Sequence, residues 1–237
     1  MKRRYFLFTV IGLMCIIVII LGNIIFVKSN GILKRSANTL PSKVPDDLII
    51  FIDITENKMF LVSEGQTLKT YPIASGKYDT PSPIGDWTIV SKDTWGGAFG
   101  GYWLGLNIPW GTYGIHGTTN PQSIGGAASH GCIRMYNEDV KELYNFVRHG
   151  THVKIYGGLF GPFGNGFRVL EPGDRGSDVY EVQKWLKRTG YYKGYVNGIY
   201  NEEMEYAVYE FQKENELPIS NSIGYRFYNK LGIFLFE

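Results

Sequence analysis

Residues 157–166 read Gly-Gly-Leu-Phe-Gly-Pro-Phe-Gly-Asn-Gly. Repeated glycine raises the entropic cost of any regular element, and proline removes a backbone donor, so neither a helix nor a strand runs through this segment. It divides the chain, and the hydrophobic period differs on its two sides. Before it, Leu48-Ile49-Ile50-Phe51-Ile52-Asp53 and Lys58-Met59-Phe60-Leu61-Val62 flank the polar Thr55-Glu56-Asn57. That pattern predicts a β-hairpin, with further strands over residues 68–73 and 87–90. One helix interrupts the β pattern. Asn137 stands as its N-cap, Glu138 and Asp139 occupy its first turn, Val140, Leu143, Tyr144 and Val147 repeat at i, i+3, i+4 and i+7, and Gly150 stops it. Residues 152–156 read as a closing strand. After the Gly-rich run the period is helical. Ser177 or Asp178 caps a helix bearing Val179, Val182, Trp185 and Leu186, Met204, Ala207, Val208 and Phe211 mark a second, and a shorter third covers about 225–231. The expectation is a mainly β domain over 46–157 with one helix, a linker over 158–166, and a small all-α three-helix domain over 167–237.

Residues 5–27 carry no charged side chain, and about 20 such residues suffice for a helix to cross a bilayer core. The run is longer than a secretory signal's apolar region, and no small-x-small cleavage site follows closely. It predicts an uncleaved transmembrane anchor, a cleaved signal or a buried helix being the alternatives. Lys2, Arg3 and Arg4 precede it and Lys28, Lys34 and Arg35 follow, so charge alone orients it weakly, amino terminus inside. Residues 28–45, polar and with Pro41 and Pro45, read as a tether. With Lys2, Arg3 and Arg4 set aside, the 24 basic and 22 acidic residues become 21 and 22. That near-neutral remainder excludes a dedicated nucleic-acid binder. The two cysteines are Cys15, inside the apolar run, and Cys132, so no disulfide framework exists and Cys132 is the only thiol after the anchor.

Chemistry concentrates in Tyr113-Gly114-Ile115-His116-Gly117-Thr118 and Ser129-His130-Gly131-Cys132-Ile133-Arg134. An unassisted thiol, with a pKa of about 8.5, is mostly protonated at neutral pH, and a neighbouring imidazole raises its reactivity. Glycine before the cysteine lets backbone N–H groups converge on an oxyanion. The residues alone leave three readings open. Cys132 is a nucleophile, a small buried apolar residue, or one ligand of a zinc site shared with His116, His130, His149 or His152, for which no familiar spacing appears. They also leave open whether His116 or His130 is the base, because His130 and Cys132 share a side of an extended segment. Residues 94–131, rich in Gly, with Trp95, Phe99, Tyr102, Trp103, Trp110 and Tyr113, form either a mobile flap or a loop whose aromatics complete the core.

The His116-Gly117 and Ser129-His130-Gly131-Cys132 pair, with Arg134 after it, resembles the catalytic signature of the YkuD-like L,D-transpeptidases. Ala74-Ser75-Gly76-Lys77 and Thr80-Pro81-Ser82-Pro83-Ile84-Gly85 are similar to a second stretch of that family. The resemblance implies a β-sandwich with one helix over about 47–156. It implies Cys132 as the acyl-forming nucleophile, His116 as its base, and the Gly117 carbonyl as the group orienting the imidazole. It further implies the His130, Gly131 and Cys132 N–H groups as the oxyanion hole and Ser129 and His130 as support. Arg134, Tyr113 and Trp110 are expected to meet substrate. Residues 169–231 resemble a three-helix peptidoglycan-binding domain through Leu170, Gly173, Gly176, Val179, Gln183, Leu186, Gly198, Phe211-Gln212 and Leu231. There Asn197 stands where Asp is more usual and Glu205 where Thr often occurs, so the module either binds wall or is a structural appendage.

Together the resemblances imply a cell-membrane, single-pass enzyme with both domains on the wall side. It would use stem tetrapeptides to make 3→3 peptidoglycan crosslinks through a cysteine thioester, with no metal or organic cofactor. Its partners would be stem peptides, wall glycan and, through residues 5–27, the membrane. The alternatives are a cysteine carboxypeptidase or endopeptidase of the wall, and a non-catalytic wall-binding protein.

Overall fold

The computed structural model describes residues 40–235. The expected anchor over 5–27 and most of the expected tether lie outside them. Among the described residues, no helix is long and apolar enough to cross a membrane.

The hairpin forms where the two apolar runs and their polar turn place it. β1 (Ile49–Asp53) pairs antiparallel with β2 (Lys58–Ser63), burying Ile50, Ile52, Met59 and Leu61 on one face. The Asp53 carboxylate accepts the Thr55 and Glu56 N–H groups at 2.8 and 3.1 Å, and Asn57 adopts φ 51°, which closes the turn. β2 returns into β3 (Gln66–Pro72) through Glu64 and Gly65, both at positive φ, the geometry of a two-residue hairpin loop. β4 (Ser75–Gly76), β5 (Gly85–Asp93), β6 (Trp103–Leu106), β7 (Tyr113–His116), β8 (Ala127–Ser129), β9 (Ile133–Arg134), α1 (Asn137–Phe146) and β10 (His152–Tyr156) follow.

Eight strands form one sheet, ordered β3-β2-β1-β10-β5-β6-β7-β9, and β4 pairs with β8 beside it. The two layers of the expected sandwich are joined by β5. Its first half, from Gly85 to Thr88, pairs with β10, and its second half, from Ile89 to Asp93, pairs with β6. A register shift between Ile89 and Ser91 marks the change of partner. A bulge bends a strand and lets it turn a corner between layers, so the structure is a single curled sheet. Its buried side, with Ile50, Ile52, Ile89, Leu104 and Ile115, is covered by Val140, Leu143 and Phe146 of α1 in one hydrophobic core. Leu40 and Val44, at the end of the expected tether, pack against this core.

One expectation about α1 is corrected. Asn137 does not cap it: Tyr136 occupies the cap position, and the Asn137 side chain is engaged elsewhere, as described below. The C-terminal part contains α2 (Ser177–Arg188), α3 (Glu202–Glu214) and α4 (Tyr225–Leu231) around a second core that includes Val179, Val182, Leu186, Val208, Phe211 and Leu231. Gly176, rather than Ser177 or Asp178, stands at the cap of α2. Gln183, fully buried, accepts the Asn197 and Gly198 N–H groups at 2.9 and 2.7 Å and donates to the Ile199 carbonyl at 2.9 Å. Asn197 Oδ1 accepts from Gln183 and from the Ile199 N–H, so Asn197 holds its own loop.

The two cores touch. Tyr180 of α2 packs on Trp87 and Trp110 with ring centroids 5.7 and 5.5 Å apart. Gly198 lies flat against Trp110, where a Cβ would come within 2.3 Å of the ring.

Candidate active site

Parallel pairing of β7 with β9 places Ile115 opposite Ile133 and His116 opposite Arg134. One residue earlier, Cys132 lies beside Gly114, whose backbone hydrogen bonds to the thiol. The strands thus carry His116 and the thiol two rungs apart, although sixteen positions separate them in the chain.

His116 is 5 % exposed, and its Nδ1 lies 2.5 Å from the Gly117 carbonyl oxygen. A carbonyl only accepts, so Nδ1 carries the proton, and the neutral ring keeps its Nε2 lone pair for another donor. Burial holds the imidazole below its ordinary pKa; the Gly117 carbonyl opposes this and Arg134 reinforces it. Phe99 meets the ring edge-on at 4.9 Å, and Trp103, stacked on Trp95, lies along it at 5.7 Å. In this structure the aromatics of the Gly-rich region therefore wall the imidazole. Burial also pushes the Cys132 thiol up, against the opposing Gly114 hydrogen bond and Arg134 charge. Both shifts favour the uncharged pair, thiol and neutral imidazole, as the resting state.

The nucleophile loop is clamped from within. Ser129, buried, donates its Oγ–H to the Cys132 carbonyl at 2.6 Å and accepts the Gly131 N–H at 3.0 Å. The Gly131 N–H is thereby used inside the loop, so of the three expected oxyanion donors it is the one already committed. Gly131 sits at φ 109°, and a Cβ there would meet the Tyr113 ring at 2.6 Å. Only glycine fits both conditions. Residues 74–82 brace the same loop from outside. Ala74 and Arg134 exchange backbone hydrogen bonds, and the Ser129 carbonyl accepts from the Lys77 N–H and the Thr80 hydroxyl.

The remaining expected residues are placed as follows. His130 is exposed, in contrast to His116. Arg134 donates to the Ala128 carbonyl at 3.3 Å and lies close enough to act on both Cys132 and His116. Tyr113 is half-buried against Gly131, and its hydroxyl is pushed up by burial, with Trp110 opposing and Cys132 and Arg175 adding smaller influences. Trp110 needs correction as a substrate contact. It is 4 % exposed, and its ring is occupied by Trp87, Tyr180, Tyr113 and Gly198. Among the described residues, no three His, Cys, Asp or Glu side chains gather as metal ligands. A cavity of about 650 Å³ lies away from the thiol, between β5, β10, the Gly-rich linker and α2.

Sequence reasoning missed Asn137. Its Oδ1 accepts the Thr118 N–H at 2.8 Å and lies where a Cβ on Gly117 or Gly100 would clash, at 2.4 and 2.1 Å. It pins the strand end that carries His116 and the Gly117 carbonyl. A helix-start asparagine looks the same whether it caps its helix or reaches a neighbouring strand, so no local signal distinguishes the two.

Residues 47–155 match the model of the YkuD L,D-transpeptidase catalytic domain, and residues 175–231 match that of a peptidoglycan binding domain. A Bacillus licheniformis protein named L,D-transpeptidase YkuD is 43% identical over 122 residues, 51% of this chain and 69% of that protein. Its Bacillus subtilis namesake is 48% identical over 107 residues, 45% of this chain and 64% of that protein. The catalytic domain of the Enterococcus faecium L,D-transpeptidase, solved by NMR, aligns at 27% identity and a TM-score of 0.41, covering 47% of this chain and 98% of that one. The chain thus spans about two thirds of the length of the first two relatives. It belongs to the YkuD-like L,D-transpeptidase family.

Proposed function

We propose that the protein is a cysteine acyltransferase that forms 3→3 peptidoglycan crosslinks from stem tetrapeptides. The observation that carries this reading is the fixed tautomer of His116, whose Nδ1–H is tied to Gly117 while Nε2 remains a base two rungs along the β7–β9 pairing from Cys132. As the Cys132 sulfur attacks the carbonyl between the third and fourth stem residues, its proton passes to His116 Nε2. The oxygen of the tetrahedral intermediate takes the negative charge, and the His130 and Cys132 N–H groups serve as its donors, since Gly131 is bound to Ser129. Collapse expels D-alanine, which takes the proton back from His116, and leaves a thioester on Cys132. An acceptor amine from a second stem attacks the thioester, loses a proton to His116, and the thiolate is reprotonated as the amide forms.

The match over 175–231 supports a wall-directed role for the C-terminal part, the uncharged run at 5–27 supports attachment to a membrane, and the wall substrate proposed for Cys132 is the reason for assigning both parts to the wall side. The test is a product mass spectrum of the full chain with a disaccharide-tetrapeptide. A dimer lacking one D-alanine, absent with Cys132→Ala, is the expected product. Tripeptide alone would assign water as acceptor and make the enzyme a carboxypeptidase. No Cys132-dependent product would overturn the catalytic reading.

A further inference from the structure

Arg175 belongs to the helical part, yet its loop is docked on the β part. Its backbone bridges to Ile199, and the next residue, Gly176, donates to the Gly198 carbonyl at 3.0 Å. Gly198 is the residue laid against the Trp110 ring. Trp110 in turn meets Tyr113 at 6.4 Å, and Tyr113 packs on Gly131, the neighbour of Cys132. The loop bearing Arg175 is therefore docked, through two aromatic rings, one step from the nucleophile. Gln183 stiffens this loop from behind with four hydrogen bonds to residues 197–199.

The charge itself is uncommitted. Arg168, nearby in sequence, is paired with both Asp174 and Asp178. Arg175 is exposed and makes no ion pair or side-chain hydrogen bond among the described residues. Tyr113, packed on Gly131 beside Cys132, lies within reach of the Arg175 charge. A guanidinium on an anchored backbone, with an open fork of donors, is suited to a carboxylate. Arg134, the cation of the motif, is turned to the Ala128 carbonyl within its own loop.

We propose that Arg175 is a specificity residue of the Cys132 site: its guanidinium receives a carboxylate of the peptide substrate on the Tyr113 side of Cys132. The helical part then completes the acyl-donor site. This rests on the reading that Cys132 acts on stem peptides.

The test uses the full chain carrying Cys132→Ala, so that binding is read without turnover. Calorimetric titration with a disaccharide-tetrapeptide gives the reference Kd. Adding Arg175→Gln is expected to weaken binding about fivefold, the scale of a partly exposed charge pair, and Arg175→Lys to recover part of it. The titration is repeated with peptide amidated at its C-terminal carboxylate and with peptide amidated at its other carboxylates. The form on which Arg175→Gln no longer matters identifies the group. An unchanged Kd in Arg175→Gln, or a loss that persists on every amidated peptide, overturns the proposal. With Cys132 intact, Arg175→Gln is expected to raise KM more than it lowers kcat. Normal product formation with an unaltered KM would reject the role of Arg175 and leave transpeptidation standing. Arg175-dependent binding without product from the unaltered chain would reject transpeptidation and leave the carboxylate site standing.

Discussion

Asn137→Ala separates two roles of one residue. The Asn137 side chain accepts the Thr118 N–H at 2.8 Å, and Thr118 is 6 % exposed. Truncation leaves that N–H without a partner in a place water scarcely reaches, at a cost of about 1–3 kcal/mol. For a folded unit of this size the fall in Tm is about 2–12 °C. The larger consequence is kinetic. Thr118 follows Gly117, whose carbonyl fixes the His116 ring. Releasing the strand end lets the imidazole drift, and a small misplacement of a catalytic base lowers the rate by about ten- to a hundredfold. Asn137→Asp keeps an acceptor at the same position and is expected to restore most of the rate. The assay is single-turnover acylation of Cys132, followed by intact-protein mass, with a thermal melt alongside. A stability loss in Asn137→Ala with an unaltered acylation rate would refute the argument that this hydrogen bond positions the base. Equal rates for the alanine and aspartate variants would refute it as well.

Gly131→Ala forces a Cβ into the Tyr113 ring at a backbone φ of 109°. The strain is about 1–3 kcal/mol, and the expected result is a lower melting temperature with slower alkylation of Cys132 by iodoacetamide; unchanged values for both would contradict it. The acidic limb of the pH–rate profile tests the burial of His116. The base works when neutral, so activity is lost as pH falls through its folded-state pKa, which burial holds below the usual value of about 6.5. A limb centred at or above that value would show an imidazole that is not held down. Trp110→Ala removes the ring shared by Trp87, Tyr180 and Gly198. It is expected to cost about 3–5 kcal/mol and to speed proteolytic cleavage within 157–166, whereas wild-type cleavage rates would show that the two parts do not depend on this contact.

The local elements were legible because their signals are local. Two apolar runs either side of a polar turn mark β1 and β2, the 3.6-residue period marks α1 and α3, and the glycine run separates two kinds of pattern. Tertiary pairing was not legible in the same way. β1 lies parallel to β10 across most of the β part, and β5 changes partners in mid-strand; each is decided by packing that no window of residues contains. The motif named Cys132 and His116 together, and the β7–β9 pairing brings their two Gly-containing stretches side by side, two rungs apart. Asn137 was misread because cap preference is local, whereas its actual partner comes from another strand. Trp110 was misread because an aromatic near a motif suits either a cleft wall or a junction. Only the seating of α2 and Gly198 against it shows which.

The central claim is that the Cys132 sulfur becomes acylated with loss of D-alanine. The most direct measurement is the intact mass of the full chain quenched in acid shortly after mixing with disaccharide-tetrapeptide, followed by peptide mapping. The account predicts an adduct equal to the donor minus D-alanine, located on the fragment containing Cys132, labile to hydroxylamine and absent from Cys132→Ala. An adduct on any other residue, or crosslinked product formed by Cys132→Ala, would contradict it.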